Sequence, residues 1–201
     1  PRYVRKEYLR ALEEFRTLFR KETAEGLIEY VPVDTSTPFE QMLSAYLARR
    51  RQLTLAGRRV LDVGAGSGLL AIAADKLGAA DALGIDIDRD TVPVARANAE
   101  RNRSRARFAA GGFGDVALEP VDVIVANLYA ELHAKFLAAY ATRTVLGGDL
   151  LLSGILDPRH ELLRDALALL DDAAGVGGPR LAWVDARRDG AWWLVHLRRV
   201  A

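Results

Sequence analysis

From residue 58 onward, short wholly apolar runs alternate with longer stretches of helical periodicity. VLDV, ALGID, DVIVAN and GDLLLSGI have strand length, whereas LLAIAADKLG, DTVPVARANAERNR, AELHAKFLAAYATRTVL and RHELLRDALALL repeat their apolar residues at helical spacing. Strands that are apolar throughout must be buried on both faces, so the alternation predicts an α/β fold: a mostly parallel sheet with helices on both sides. Near the end the rhythm changes. PRLAWVDAR and AWWLVHLRR flank RDG, a hairpin signal, so the sheet is predicted to close with an antiparallel C-terminal strand. Trp183, Trp192 and Trp193 are expected to pack within that hairpin, and GVGGP (175–179) to be the loop before it.

The upstream residues follow a different pattern. Val4, Tyr8, Leu12, Phe15 and Phe19 fall at helical spacing with charges opposite, and Gly26 is a stop signal. An extended piece, LIEYVPVD, leads to a second helical pattern from Thr37 to Arg51, with Pro38 suited to the first turn. Residues 1–55 are therefore predicted to be an N-terminal helical extension, either packed on the domain or acting as a lid or substrate-docking element. Residues 56–201 form the predicted main domain.

Composition narrows this only a little. Half of the 201 residues are hydrophobic, enough for one well-buried domain. The formal charge of +1 gives no general electrostatic attraction to nucleic acid. The absence of cysteine excludes disulfides and thiolate metal sites and fits a cytoplasmic protein. His133, His160 and His196 make no metal-ligand spacing, so no metal is expected. No apolar run reaches membrane-spanning length.

The chemistry begins at VLDVGAGSG, a strand running into Gly64, Gly66 and Gly68 ahead of a helix. Such a turn lets a ligand approach the backbone, and amides at the helix start favour a polar or anionic group. GIDID then closes the next strand with Asp86, an acid placed to accept hydrogen bonds from two ribose hydroxyls. Asp88 reads instead as a cap of the following helix. The glycine spacing is GxGxG, not the dinucleotide fingerprint GxGxxG, whose last glycine would replace Leu69. Asp62, two residues before the first glycine, suits a ligand carrying an ammonium group better than a pyrophosphate. This D-x-G-x-G-x-G pattern with its downstream acid resembles class I S-adenosylmethionine-dependent methyltransferases. The resemblance spans roughly residues 58 to 200. It implies a Rossmann-like seven-stranded methyltransferase fold and S-adenosyl-L-methionine as cofactor. It also implies that Asp62, Gly64, Ala65, Gly66, Gly68, Asp86 and Ile87 line the cofactor. The next loop, in RFAAGGFGDV, would place Gly111, Gly112 and Phe113 beside the adenine, with Asp115 an acceptor for its amino group; an ordinary glycine-rich turn is the alternative.

DVIVAN is the fourth strand of the alternation, so Asn127 is predicted at the carboxyl edge of the sheet, where open α/β sheets bind ligands. In amino-methylating members of the class, an Asn or Asp here positions the target nitrogen. The common form is Asn-Pro-Pro-Tyr; this chain reads Asn-Leu-Tyr-Ala. A lysine amine, with a pKa of roughly 10.4, must be deprotonated and aimed before it reacts. Asn127 would accept one amine hydrogen, the Leu128 carbonyl a second, and Tyr129 would wall the site; Asn127 would also border the cofactor. The competing reading is that Asn127 caps the helix starting near Ala130. Glu131 and His133 are expected on the solvated face of that helix.

VLDVGAGSGLLAIAADKLGA, GIDIDRDTVPVARANAERN, VANLYAELHA, GGDLLLSGIL and the terminal GAWWLVHLRR are together similar to bacterial ribosomal protein methyltransferases of the PrmA type. Members methylate lysine side chains and an N-terminal amine, which implies amine methylation of a protein. Two departures stand out. The family's glycine-, histidine- and threonine-rich segment before the loop reads STPFEQM (36–42) here, making Thr37, Phe39 and Glu40 candidate contacts. The family's separate N-terminal recognition domain also finds no counterpart in the roughly sixty residues before the loop. A small-molecule acceptor, another acceptor atom, or a catalytically silent partner subunit are the competing readings, with a nicotinamide enzyme behind them.

Overall fold

The computed structural model describes residues 55–116, 119–174 and 178–201. The helices expected over 1–25 and 37–51, and with them Thr37, Phe39 and Glu40, lie outside the described residues.

Seven strands form one sheet: β1 (Arg59–Val63), β2 (Asp81–Asp86), β3 (Arg107–Ala110), β4 (Val121–Asn127), β5 (Thr144–Leu156), β6 (Leu181–Asp189) and β7 (Trp192–Arg199). Their spatial order is β3-β2-β1-β4-β5-β7-β6. The first five run parallel, while β7 is antiparallel to both β5 and β6. The expected hairpin is therefore present, with its second strand inserted between β5 and β6.

Four helices connect the strands: α1 (Leu69–Lys76), α2 (Thr91–Arg101), α3 (Ala130–Arg143) and α4 (His160–Ala174). Alternating strand residues feed separate cores, as the two-residue period requires. Leu61, Val63, Ile124, Ala126, Leu150, Leu152, Val195 and Leu197 pack with Leu137, Tyr140 and Leu163 from α3 and α4. Val60 and Val123 turn the other way, toward Ala74 of α1. On that side Phe108 of β3 also joins Ala71, Ile72, Val92 and Ala95 of α1 and α2. The sheet is thus covered on both faces.

Two expectations need correcting. Helix α3 ends at Arg143, so Thr144, Val145 and Leu146 belong to β5 and not to the helix. Leucine and valine fit either period; the backbone turns extended at Thr144, whose hydroxyl donates to the Tyr140 carbonyl (2.8 Å). Trp192 is half exposed, whereas Trp183 and Trp193 do pack against the core.

Strand order reverses between β1 and β4, and the carboxyl ends of these strands open the crevice where such sheets bind ligands. Val63 lies opposite Ile85 of β2 and Ala126 of β4, so Gly64, Asp86 and Asn127 leave the sheet at one level.

Candidate active site

The glycine loop is held from below and open above. Gly64 and Ala65 donate to the Ile85 carbonyl (2.9 and 3.1 Å), anchoring the turn to β2. All three glycines have positive φ, but they serve different ends. A Cβ on Gly64 would come within 2.6 Å of Leu128 Cδ2, and one on Gly68 within 2.7 Å of the Phe108 ring. A Cβ on Gly66 would meet nothing within 4 Å. Gly64 and Gly68 are therefore packing requirements, and Gly66 is the glycine that faces the crevice.

Asp62 is almost completely buried under this loop. Its Oδ2 accepts the Ala71 amide hydrogen (3.0 Å) at the third residue of α1, where an acid also complements the helix dipole. Its Oδ1 is buried without a hydrogen-bond partner among the described residues. Burial pushes the carboxyl up to about 7, with the Asp86 charge adding to the rise and the Ala71 hydrogen bond opposing it. A buried carboxylate oxygen lacking a donor is the feature that a cationic amine would complete.

Asp86 spans the loop and its own strand end. Oδ2 accepts the Gly66 amide (2.8 Å) and Oδ1 the Asp88 amide (2.9 Å). Each oxygen keeps a further lone pair for a hydroxyl donor. Ile87 follows with 83% of its surface exposed, an apolar side chain at the crevice. Across from it, a Cβ on Gly112 would lie 3.6 Å from Ile87 Cγ2, and the Gly111 amide donates to the Asp86 carbonyl (2.7 Å). Ile87, Gly111 and Gly112 thus form one wall. Asp115 turns its Oδ2 back to the Gly112 amide (2.9 Å). Phe113 points elsewhere, edge-on to Phe136 and Tyr140 with ring centroids 5.5 Å away in each case. The cap expected of Asp88 does not form as read. The residue at the N-terminal boundary of α2 is Asp90, whose amide hydrogen Asp88 accepts (2.9 Å).

Asn127 is the last residue of β4 and is exposed at the crevice. It does not cap α3: the boundary residue is Tyr129, in extended conformation, and no side-chain cap bond forms there. Leu128 packs on Gly64 and ties the end of β4 to the glycine loop. Its amide donates to the Ser153 carbonyl of β5 (3.0 Å). Tyr129 is 68% exposed beside it. Gly154 completes the corner: a Cβ there would fall 2.5 Å from Asn127 Oδ1 and 2.7 Å from the Leu128 carbonyl oxygen.

The first turn of α3 overturns one expectation. Glu131 is solvent-exposed and pairs with Arg159 (3.2 Å), but His133 is fully buried. The helical period had the signal, because His133 shares a stripe with Ala130, Leu137 and Tyr140. Ser153, Gly154, His133 and Tyr140 are the residues at this site that the sequence reading missed. Among the described residues no cluster of His, Cys, Asp or Glu could hold a metal, and no helix is long and apolar enough to cross a membrane.

The family model for ribosomal protein L11 methyltransferase (PrmA) matches residues 43–171. The chain belongs to the PrmA family. The family's ribosomal protein L11 methyltransferase from Deinococcus radiodurans is 48% identical over 155 residues, covering 74% of this chain and 55% of that protein. The one from Thermus thermophilus is 54% identical over 114 residues, covering 56% and 44%. The chain thus spans about half the length of these curated relatives. A crystal structure of ribosomal protein L11 methylase from Lactobacillus delbrueckii subsp. bulgaricus superposes with a TM-score of 0.65 at 26% identity, covering 86% of this chain and 90% of that one. The site of the PrmA-type domain described above fits the cofactor that the resemblance implies. Asp62 Oδ1 awaits a cation, Gly66 opens the backbone, Asp86 has acceptors to spare and Ile87 offers an apolar wall.

Proposed function

We propose that this chain is an S-adenosylmethionine-dependent methyltransferase module that methylates an amine of a protein, a lysine side chain or an N-terminal amine. The observation that carries the reading is the corner at the end of β4. The exposed Asn127 and the Leu128 carbonyl stand together there, packed directly on the glycine loop through Leu128 and Gly64.

The bound cofactor supplies a methyl group on a positively charged sulfur. What the chain supplies is position, which is most of what such a transfer needs. Asp62, Ala65, Gly66, Asp86, Ile87, Gly111 and Gly112 hold the cofactor, with Gly64 and Gly68 shaping the loop. Phe113 acts from behind, as part of the aromatic packing under its own loop. The Asn127 amide oxygen and the Leu128 carbonyl accept the two hydrogens of a neutral amine, leaving its lone pair directed at the reacting carbon. Desolvation in the crevice, beside a positive charge, lowers the amine pKa from roughly 10.4 and favours the reactive form. Tyr129, exposed at the rim, walls the acceptor channel.

The names of the relatives, ribosomal protein L11 methyltransferases, support a protein as the acceptor. Residues 1–55 serve as the lid or docking element of this assignment, and 56–201 as the cofactor domain in the cytoplasm. The test pairs calorimetry with activity. Asn127→Ala should bind S-adenosylmethionine as the wild type does while methyl transfer falls roughly a hundredfold, the signature of a lost positioning contact. Full activity of the variant on an amine would remove Asn127 from the acceptor site. Failure of the wild type to bind the cofactor would sink the whole assignment.

A further inference from the structure

His133 is the fourth residue of α3, and its ring is buried directly behind the Asn127–Tyr129 corner. Nε2 lies 2.8 Å from the Ser153 carbonyl oxygen, and Nδ1 lies 3.2 Å from the Tyr140 hydroxyl. A carbonyl oxygen can only accept, so Nε2 carries the hydrogen. In a neutral imidazole Nδ1 is then an acceptor, and the Tyr140 hydroxyl must donate to it. For the neutral ring, the Ser153 carbonyl therefore sets the tautomer. Burial also lowers the imidazole pKa, against hydrogen bonds to the Ser153 and Leu128 backbone, and pushes the Tyr140 phenol up. Among the described residues no charged group adds to the imidazole shift, which comes from burial and backbone bonds.

The Ser153 carbonyl is the pivot. It takes the His133 hydrogen and also the Leu128 amide hydrogen, while the Ser153 hydroxyl reaches the Ala126 carbonyl (3.4 Å). Asn127 is the register partner of Ser153. On the other side of β5 the ladder to β7 breaks between Leu152 and Ile155, so Ser153 and Gly154 have left that regular pairing. A leucine at position 133 would satisfy the core stripe without a buried polar group, and an imidazole there needs both bonds to be tolerated.

We infer that His133, donating from Nε2 to the Ser153 carbonyl while its Nδ1 accepts from the Tyr140 hydroxyl, is a positioning residue that fixes the Ser153 carbonyl and through it the Asn127–Leu128 acceptor corner. The catalytic part of this rests on the amine-methylating role proposed above. The structural part does not. Three variants separate the possibilities. His133→Gln can keep an N–H near the Nε2 position, His133→Leu removes it, and Tyr140→Phe removes only the hydrogen bond at Nδ1.

Nitrogen NMR of the full chain should show His133 neutral and protonated on Nε2 at pH 6.5. Hydrogen exchange of the Leu128 amide should quicken roughly tenfold in His133→Leu and stay near wild type in His133→Gln. With S-adenosylmethionine and ribosomal protein L11 as probes, His133→Leu should lose kcat roughly tenfold with unchanged cofactor affinity, and His133→Gln should recover most of it. Tyr140→Phe should leave the ring protonated on Nε2, with a smaller loss of kcat than His133→Leu.

An Nδ1–H ring or a protonated ring at pH 6.5 would overturn the inference, as would unchanged Leu128 exchange and kcat in His133→Leu. If His133→Leu does not fold, the NMR state and the Tyr140→Phe result still decide. If the wild type methylates no amine, the proposed function fails, whereas the tautomer and the Leu128 exchange still test the positioning device.

Discussion

Asp62 engages the protein through one carboxylate oxygen, with Oδ2 on the Ala71 amide and Oδ1 buried without a donor among the described residues. Its pKa, raised to about 7, has two consequences with opposite signs. In the free protein the folded state holds a proton more tightly than the unfolded chain, where an Asp titrates near roughly 3.9. The stability this provides is fully present below that value and is lost as pH rises toward 7. A cationic amine beside Oδ1 reverses the preference and favours the carboxylate. S-Adenosylmethionine binding should therefore release up to about one proton near pH 6, and affinity should climb between pH 5.5 and roughly 7 before levelling. Calorimetry in two buffers of different ionisation enthalpy measures this directly. Asp62→Asn should bind weakly and without proton release, and equal proton release in wild type and variant would disprove the assignment. Such an acid could be read from its place before the glycines. His133 was hidden in another way: its stripe was visible, but its polarity suggested solvent, and only the Ser153 carbonyl and Tyr140 hydroxyl explain its burial.

Among the elements, the strands were legible because a parallel sheet buried on both faces demands continuous apolar runs. Asn127 and Asp86 were placed at strand ends for the same reason, and β4 and β2 do end there. The α3–β5 boundary was not legible. TVL has no period of its own, and the helix ends where the backbone turns extended at Thr144. The roles of the loop glycines were likewise invisible in the spacing, since they depend on Leu128 and Phe108 from distant strands. Their difference is testable. Gly68→Ala drives a Cβ into the Phe108 ring at positive φ and should destabilise the domain by about 2 to 4 kcal/mol in a denaturant melt. Gly66→Ala meets no protein atom, so it should cost only about 1 kcal/mol of stability while weakening S-adenosylmethionine roughly tenfold or more. A reversed ranking, with Gly66→Ala the less stable variant and cofactor affinity intact, would place the ligand elsewhere.

Across the whole domain, the reversal between β1 and β4 brings four strand ends to one crevice, with the glycine loop, Asp86, the Gly111–Gly112 turn and Asn127 around it. The parallel half of this arrangement followed from the chain's alternating rhythm. The insertion of β7 between β5 and β6 did not, because a hairpin signal says that two strands pair and not which one joins the sheet. Family membership rests on residues 43–171, and the chain spans about half of its curated relatives, so the acceptor is what most needs measuring. The decisive experiment is to incubate the chain with S-adenosylmethionine and purified ribosomal protein L11 and locate added methyl groups by peptide mass spectrometry. Methyl groups on a lysine or N-terminal amine, lost with Asn127→Ala while cofactor binding persists, are the predicted result. Methylation confined to carboxylates or other oxygen atoms, or no transfer by a chain that binds the cofactor, would contradict the account.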